Sequence, residues 1–209
     1  PGAVEAGSVG QLTGRRLPGN SKPAWKKASG TARESIEDGR WVIRDPKGFC
    51  RRLVVGDYRQ TDGQKNEVRF EWGTDCTDNR RADGFAIQTQ GRRLRLHPIH
   101  RPNQSDLLLV GVRAGMGPDV VASHLDLTAM PDFDARAANR YMVRWVTQEV
   151  NDYRFELSIN GKAITRLAGE PRILGKEVSI GFEFRGGTHT ITRVAWDLNR
   201  GGERVASPG

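Results

Sequence analysis

A spacing of two constrains this chain more than any other feature. Apolar residues recur at alternate positions for five to ten residues, then stop at Gly, Asn, Asp or Pro. Successive side chains of a strand point to opposite sides of its sheet, so such a run has one buried and one wet face. Eleven segments carry the pattern: 40–44, 66–72, 84–90, 92–97, 107–113, 121–127, 141–147, 153–159, 162–167, 178–185 and 189–198. A short strand is also expected near Val9 to Leu12. Helix is expected only over Pro131 to Asn139, where Pro suits a first turn, two acids suit the helix N-terminus and Ala-Arg-Ala-Ala follows. The expected class is therefore all-β: two packed antiparallel sheets and one short helix.

Two turns are readable locally. Asn160-Gly161 favours the positive φ angles of a type I′ hairpin, and Gly186-Gly187-Thr188 is expected to close a second hairpin between 178–185 and 189–198. Alternation places Val68, Phe70, Trp72, Val143, Trp145, Phe155, Leu157, Ile180, Phe182, Val194 and Trp196 in one core. The opposite positions of the same strands are unusually rich in charge.

At 209 residues and 36% apolar, the chain can bury a full core and needs no second domain. The expected division is an arm or linker over 1–23, a sandwich over 24–199 and a tail over 200–209. No run approaches the roughly 18 apolar residues of a membrane span. Because the chain opens at Pro1 with neither Met nor a leader-like segment, it is expected to be a piece of a longer polypeptide. Cys50 and Cys76 exclude paired metal knuckles and leave either one disulfide or two thiols. The formal charge is +8, and 26 of the 33 basic residues are Arg. They occur as scattered doublets rather than one block, so nucleic acid is not indicated as a partner, while carboxylate or sulfate groups suit the guanidinium fork.

The segments Asn-Glu-Val-Arg-Phe-Glu-Trp (66–72), Asp-Gly-Phe-Ala-Ile-Gln (83–88), Asn-Arg-Tyr-Met-Val-Arg-Trp (139–145), Glu-Leu-Ser-Ile-Asn-Gly-Lys (156–162), Val-Ser-Ile-Gly-Phe-Glu-Phe-Arg-Gly-Gly (178–187) and Thr-Arg-Val-Ala-Trp-Asp-Leu (192–198) follow one another as in a concanavalin A-like jelly roll. Ile36 to Trp41, with its Asp-Gly, resembles the opening of 3-keto-disaccharide hydrolase-type domains. The resemblance covers about residues 25–198. Where such domains carry a Tyr-Glu-aliphatic-Gln strand, this chain has 92–102 and 107–115 instead. The superfamily includes lectins, carbohydrate-binding modules, laminarinase-like hydrolases and polysaccharide lyases, so the resemblance implies glycan chemistry without selecting a reaction.

Candidate chemistry lies on the polar strand faces. Glu67 and Glu71 are the candidate carboxylates of a glycosidase, but four residues along a strand is about 13 Å, beyond the roughly 5 to 9.5 Å of working pairs. The Glu-x-Asp-x-x-Glu pattern of laminarinase-like enzymes is absent. A lyase needs a base near the sugar C5 proton and a cation for the enolate, for which Arg69, Gln88, His97, Tyr58 and Arg185 are available types. His97 and His100 lack the companions of a zinc set, and no metal-binding residues are assigned. The acidic loop 75–79 leaves structural calcium as an option, with no cofactor required. Arg69, Gln88, Gln90, Glu183 and Arg185 are expected to converge as a ligand-binding cleft on the concave sheet implied by the resemblance.

The function expected is a glycan-recognising module of a larger secreted or cell-surface protein, extracellular or periplasmic, binding an oligo- or polysaccharide. An acidic glycan is favoured over a neutral one. The alternatives are a glycoside hydrolase or polysaccharide lyase using the same sheet, and a structural module without a ligand.

Overall fold

The computed structural model describes residues 9–56, 65–76, 84–89, 92–99, 107–114, 120–126, 133–134, 136–149, 152–169 and 177–198. The strands are β1 (Val9–Thr13), β2 (Lys26–Glu37), β3 (Arg40–Gly56), β4 (Lys65–Thr74), β5 (Gly84–Thr89), β6 (Arg92–Ile99), β7 (Leu107–Ala114), β8 (Val120–Asp126), β9 (Asn139–Glu149), β10 (Asp152–Ile159), β11 (Lys162–Gly169), β12 (Glu177–Phe184) and β13 (Thr188–Asp197). All eleven alternating segments form strands. β2 is additional; its first half is exposed, and in its half-buried second half Glu34 stands between Ala32 and Ile36, so no apolar alternation reveals it, although Asp38 and Gly39, at φ 48° and 72°, join it to β3 as a two-residue hairpin.

Hydrogen bonding runs in the order β11-β10-β9-β4-β13-β3-β12-β5-β6-β7-β8, with β1 on β13 and β2 on β3. This ladder cannot lie flat. β4 and β5 are four places apart, about 19 Å along a flat sheet, yet the rings of Phe70 and Phe85 stack with centroids 4.3 Å apart. The ladder is folded over itself into two layers.

The fold line passes through β3. Trp41–Arg44 pairs with β13, whereas Phe49–Gly56 pairs with β12. Between them Asp45 and Gly48 take φ angles of 49° and 61° around Pro46. β2 follows the corner through three register shifts. A Cβ on Gly30 (φ 69°) would lie 2.3 Å from the Gly48 carbonyl oxygen, so two glycines permit the strands to bend together.

The first layer holds β11, β10, β9, β4, β13, β1 and the start of β3. The second holds the rest of β3 with β12, β5, β6, β7 and β8. Nine of the eleven expected core residues are buried; the side chains of Trp145 and Phe155 lie outside the described residues. Phe182 joins the layers, its ring 5.6 Å from Phe70, 5.4 Å from Phe85, 6.0 Å from Trp25 and 6.2 Å from Trp41. At the fold line Glu34 accepts from Arg51 at 2.7 and 2.8 Å and from the Trp41 indole at 3.1 Å, while Arg51 donates to the Trp25 carbonyl at 3.0 Å.

The short strand expected near Val9 to Leu12 is present: β1 pairs with β13, and Leu12 is buried. Two expectations are corrected. The described part of 131–139 is a turn, not a helix. Asp134 accepts from the Arg136 and Ala137 amides, and Asn139 holds the Asp134 and Ala137 carbonyls, so local side-chain bonds outcompete a helical ladder. Among the described residues the helix is a 3-10 turn at Pro18–Asn20.

The second hairpin also fails. Asn160 and Gly161 do turn with φ 52° and 82°, between paired strands β10 and β11. Gly186 and Gly187, at φ 68° and 67°, instead carry the chain from one layer to the other, because β12 and β13 pair with opposite halves of β3.

Replacing Phe182 by Ala removes the ring common to five aromatic contacts. The expected cost is about 3–5 kcal/mol of unfolding free energy, measured by urea denaturation.

Candidate functional site

The outer face of the first layer is organised in rows that cross the strands. One row places Asp197, Glu67, Arg144 and Glu156 side by side. The next aligns Gln11, Ala195, Arg69, Met142, Ser158 and Ala163. A third aligns Thr13, Arg193, Glu71 and Arg140. Apart from Gln11, Arg69 and Met142 the middle row is built of small side chains, and longer charged ones flank it. The result is a trough. One section of about 550 Å³ is lined by Arg69, Glu71, Arg140, Met142, Ser158 and Arg193, among others. A neighbouring section of about 520 Å³ shares Arg69, Arg193 and Ala195 with it and adds Gln11, Glu67 and Asp197.

Arg193 reaches this face through a β-bulge. Ile191 pairs with Trp72 and Arg193 with Glu71, which leaves Thr192 as the extra residue. The inward set therefore changes phase from His189 and Ile191 to Val194, Trp196 and Leu198, all buried. On the far side, Asn160 anchors the β10–β11 turn to β9: its side-chain oxygen accepts from the Arg140 amide at 2.9 Å, its amide donates to the Arg140 carbonyl at 2.8 Å, and its side-chain nitrogen donates to Asn139 at 3.0 Å. Those bonds hold the backbone from which Arg140 projects.

Charge is distributed unevenly over the trough. Glu67 accepts from Arg144 at 2.7 and 3.0 Å and pairs with Arg69 as well, and Arg144 lies 3.7 Å from Glu156. Burial pushes the Glu67 carboxyl up, but hydrogen bonds and charge from Arg144 and Arg69 outweigh it and hold the group below the usual carboxylate range. In the third row the pattern differs. Among the described residues Glu71 and Arg140 have no ion pair, and Arg193 donates to Gln11 at 3.0 Å.

The structure divides the expected site residues. Glu67, Arg69 and Glu71 come together in the trough. Glu183 lies on β12, in register with Cys50 and Gly84, and Gln88 lies on β5 opposite Ser179. Those strands belong to the second layer, whose Phe85 and Phe182 meet Phe70 across the core, so its outer face looks the opposite way. Arg185 is exposed where the chain crosses between layers. The expected convergence into one cleft is thus overturned: alternation assigns a residue to a face of its own strand but does not say which layer that strand joins.

His97 lies on β6, two strands beyond β12. Gln90, Tyr58 and His100 lie outside the described residues, as do 77–79 of the acidic loop. Asp75 accepts from the Thr188 amide and donates its own to the Thr188 carbonyl at 3.1 Å. No group of three or more His, Cys, Asp or Glu among the described residues is placed to hold a metal ion. Cys50 and Cys76 are thiols, not a disulfide.

Sequence reasoning did not select Arg140 or Arg193 for the site. The signal for Arg193 was the phase break between Ile191 and Val194; Arg140 falls among the alternating residues that lead into the next strand.

No family model matches the chain, and no curated protein matches it. Solved structures do. The alginate lyase Aly36B in complex with an alginate trisaccharide is similar with a TM-score of 0.59 at 14% identity, over 95% of this chain and 100% of that one. The carbohydrate recognition domain of Emp47p has a TM-score of 0.55 at 11% identity, over 87% and 90%. Lectin I-B4 from Griffonia simplicifolia has a TM-score of 0.55 at 13% identity, over 89% and 98%. The chain has the concanavalin A-like jelly-roll fold. At these identities the likeness is one of architecture.

Because the folded Glu67 carboxyl titrates below its unfolded value, its contribution to stability is present above the ordinary carboxylate range and is lost as pH falls through the folded value. Glu37, hydrogen-bonded by Arg44 and lowered to about 2, adds a similar trend. The parent should therefore lose more Tm than Glu67→Gln between about pH 5 and about pH 2, as read by circular dichroism.

Proposed function

We propose that this chain is a glycan-recognising β-sandwich that holds an oligo- or polysaccharide along the trough of its first layer. The supporting observation is the middle row, in which Ala195 and then Met142, Ser158 and Ala163 lie on either side of Arg69, between two charged rows. A trough of two adjoining sections over neighbouring strands suits a linear chain of polar rings, with hydroxyl groups meeting side chains on either wall and Arg69 between the sections. Six strands, from β1 to β11, span about 24 Å in this direction. The lectins and the carbohydrate-active enzyme that share the fold support the class of ligand. The Asp38-Gly39 turn into Trp41 supports kinship with 3-keto-disaccharide hydrolase-type domains within that fold.

Binding is favoured over catalysis by the state of the carboxylates. Glu67 is occupied by two guanidinium groups, and Glu71 lies four residues away on the same strand, about 13 Å, beyond the reach of a working carboxylate pair. A hydrolase or lyase is the second reading, carried by Glu71 as the trough carboxylate without an ion pair among the described residues. Release of shorter or unsaturated oligosaccharides from a bound glycan would move the assignment to it. No helix among the described residues is long and apolar enough to cross a membrane. We place the module in a longer extracellular, periplasmic or cell-surface protein.

A glycan array followed by calorimetry tests the reading. Ala195→Trp fills the trough between Gln11 and Arg69 without touching the core, so it should abolish binding while Tm stays within about 2 °C. Unaltered binding by this variant would place the ligand elsewhere.

A further inference from the structure

We infer that the trough selects a glycan with carboxylates on alternate sugars, separated by neutral sugars, over one charged at every sugar. The inference rests on the trough being the glycan site and concerns what its third row reads. In that row Arg193, Glu71 and Arg140 are direct cross-strand neighbours, giving a positive, negative, positive sequence across β13, β4 and β9. All three line the same section. The two arginines are exposed and separated by two strand spacings, about 9.6 Å.

The neighbouring cations differ in availability. Arg69 and Arg144 are both engaged by Glu67, so an incoming anion must compete with an existing carboxylate for either one. Neither Arg140 nor Arg193 has an ion pair among the described residues, where the Arg193 guanidinium donates to the neutral amide of Gln11. Their guanidinium groups can take a carboxylate with two parallel hydrogen bonds each.

Glu71 sets the interval between them. A ligand carboxylate opposite it meets a like charge, whereas a hydroxyl or amide N–H can donate to it. The row thus rewards anion, neutral donor, anion, and penalises three consecutive anions.

Calorimetry with three oligosaccharides of equal length tests this on the full chain. A hyaluronan hexasaccharide carries a carboxylate on every second sugar, hexagalacturonate on every sugar and cellohexaose on none. Hyaluronan should bind at least about tenfold more tightly than hexagalacturonate, and its affinity should fall with added salt. Glu71→Gln should narrow that preference to about threefold or less by strengthening hexagalacturonate binding. Arg140→Gln and Arg193→Gln should each weaken hyaluronan by about tenfold, with Tm unchanged.

Equal binding of cellohexaose and hyaluronan would overturn the inference and leave the glycan-binding reading intact. So would a preference that Glu71→Gln does not change, or a preference for hexagalacturonate. Failure of the parent to bind any of the three would overturn both.

Discussion

Everything in this molecule depends on one strand belonging to two layers. β3 pairs with β13 before its corner and with β12 after it, so the core exists only because Asp45 to Gly48 turns the ladder through the fold line. Near that corner the Arg51–Glu34 pair is tied to the Trp41 indole and the Trp25 carbonyl. Its side chains are only 14% and 13% exposed, so either ion alone would be left in a poorly solvated place. The pair is thus part of how the two layers are kept in contact, and through them the ring cluster around Phe182.

The period-two pattern made the strands and most of the core legible without any three-dimensional information. Val68, Phe70 and Trp72 are inward because Glu67, Arg69 and Glu71 are not, and the sequence states both halves of that relation. What it does not state is which strands become neighbours. The cleft expected from Arg69, Gln88, Glu183 and Arg185 required β4, β5 and β12 to share a sheet, and long-range pairing decided otherwise. β2 escaped notice for a related reason: an edge strand that is exposed in its first half and carries a charged residue on its inner side owes its conformation to its partner rather than to its own periodicity.

The trough shows the same division at the level of a site. Its three β4 residues were legible as polar positions, but their companions come from β9, β10, β13 and β1, which meet β4 or its neighbours only after folding. Electrostatics then separates residues of one chemical type. Arg69 and Arg144 are occupied in holding Glu67, while Arg140 and Arg193 stand on the opposite wall without such a partner among the described residues. Counting basic residues along the chain could not make that distinction; the register of the strands does.

The bulge at Thr192 also marks the place where β13 changes its other neighbour. β3 pairs with it through Ile191, and β1 takes over from Arg193 to Asp197. β1 is therefore a plug in a ladder. Gly10 lets it lie close against the Trp196 indole, where a Cβ would come within 2.4 Å of the ring. A chain trimmed beyond Thr13 would present that stretch of β13 as an open edge beside the trough, able to accept an extended strand from another polypeptide.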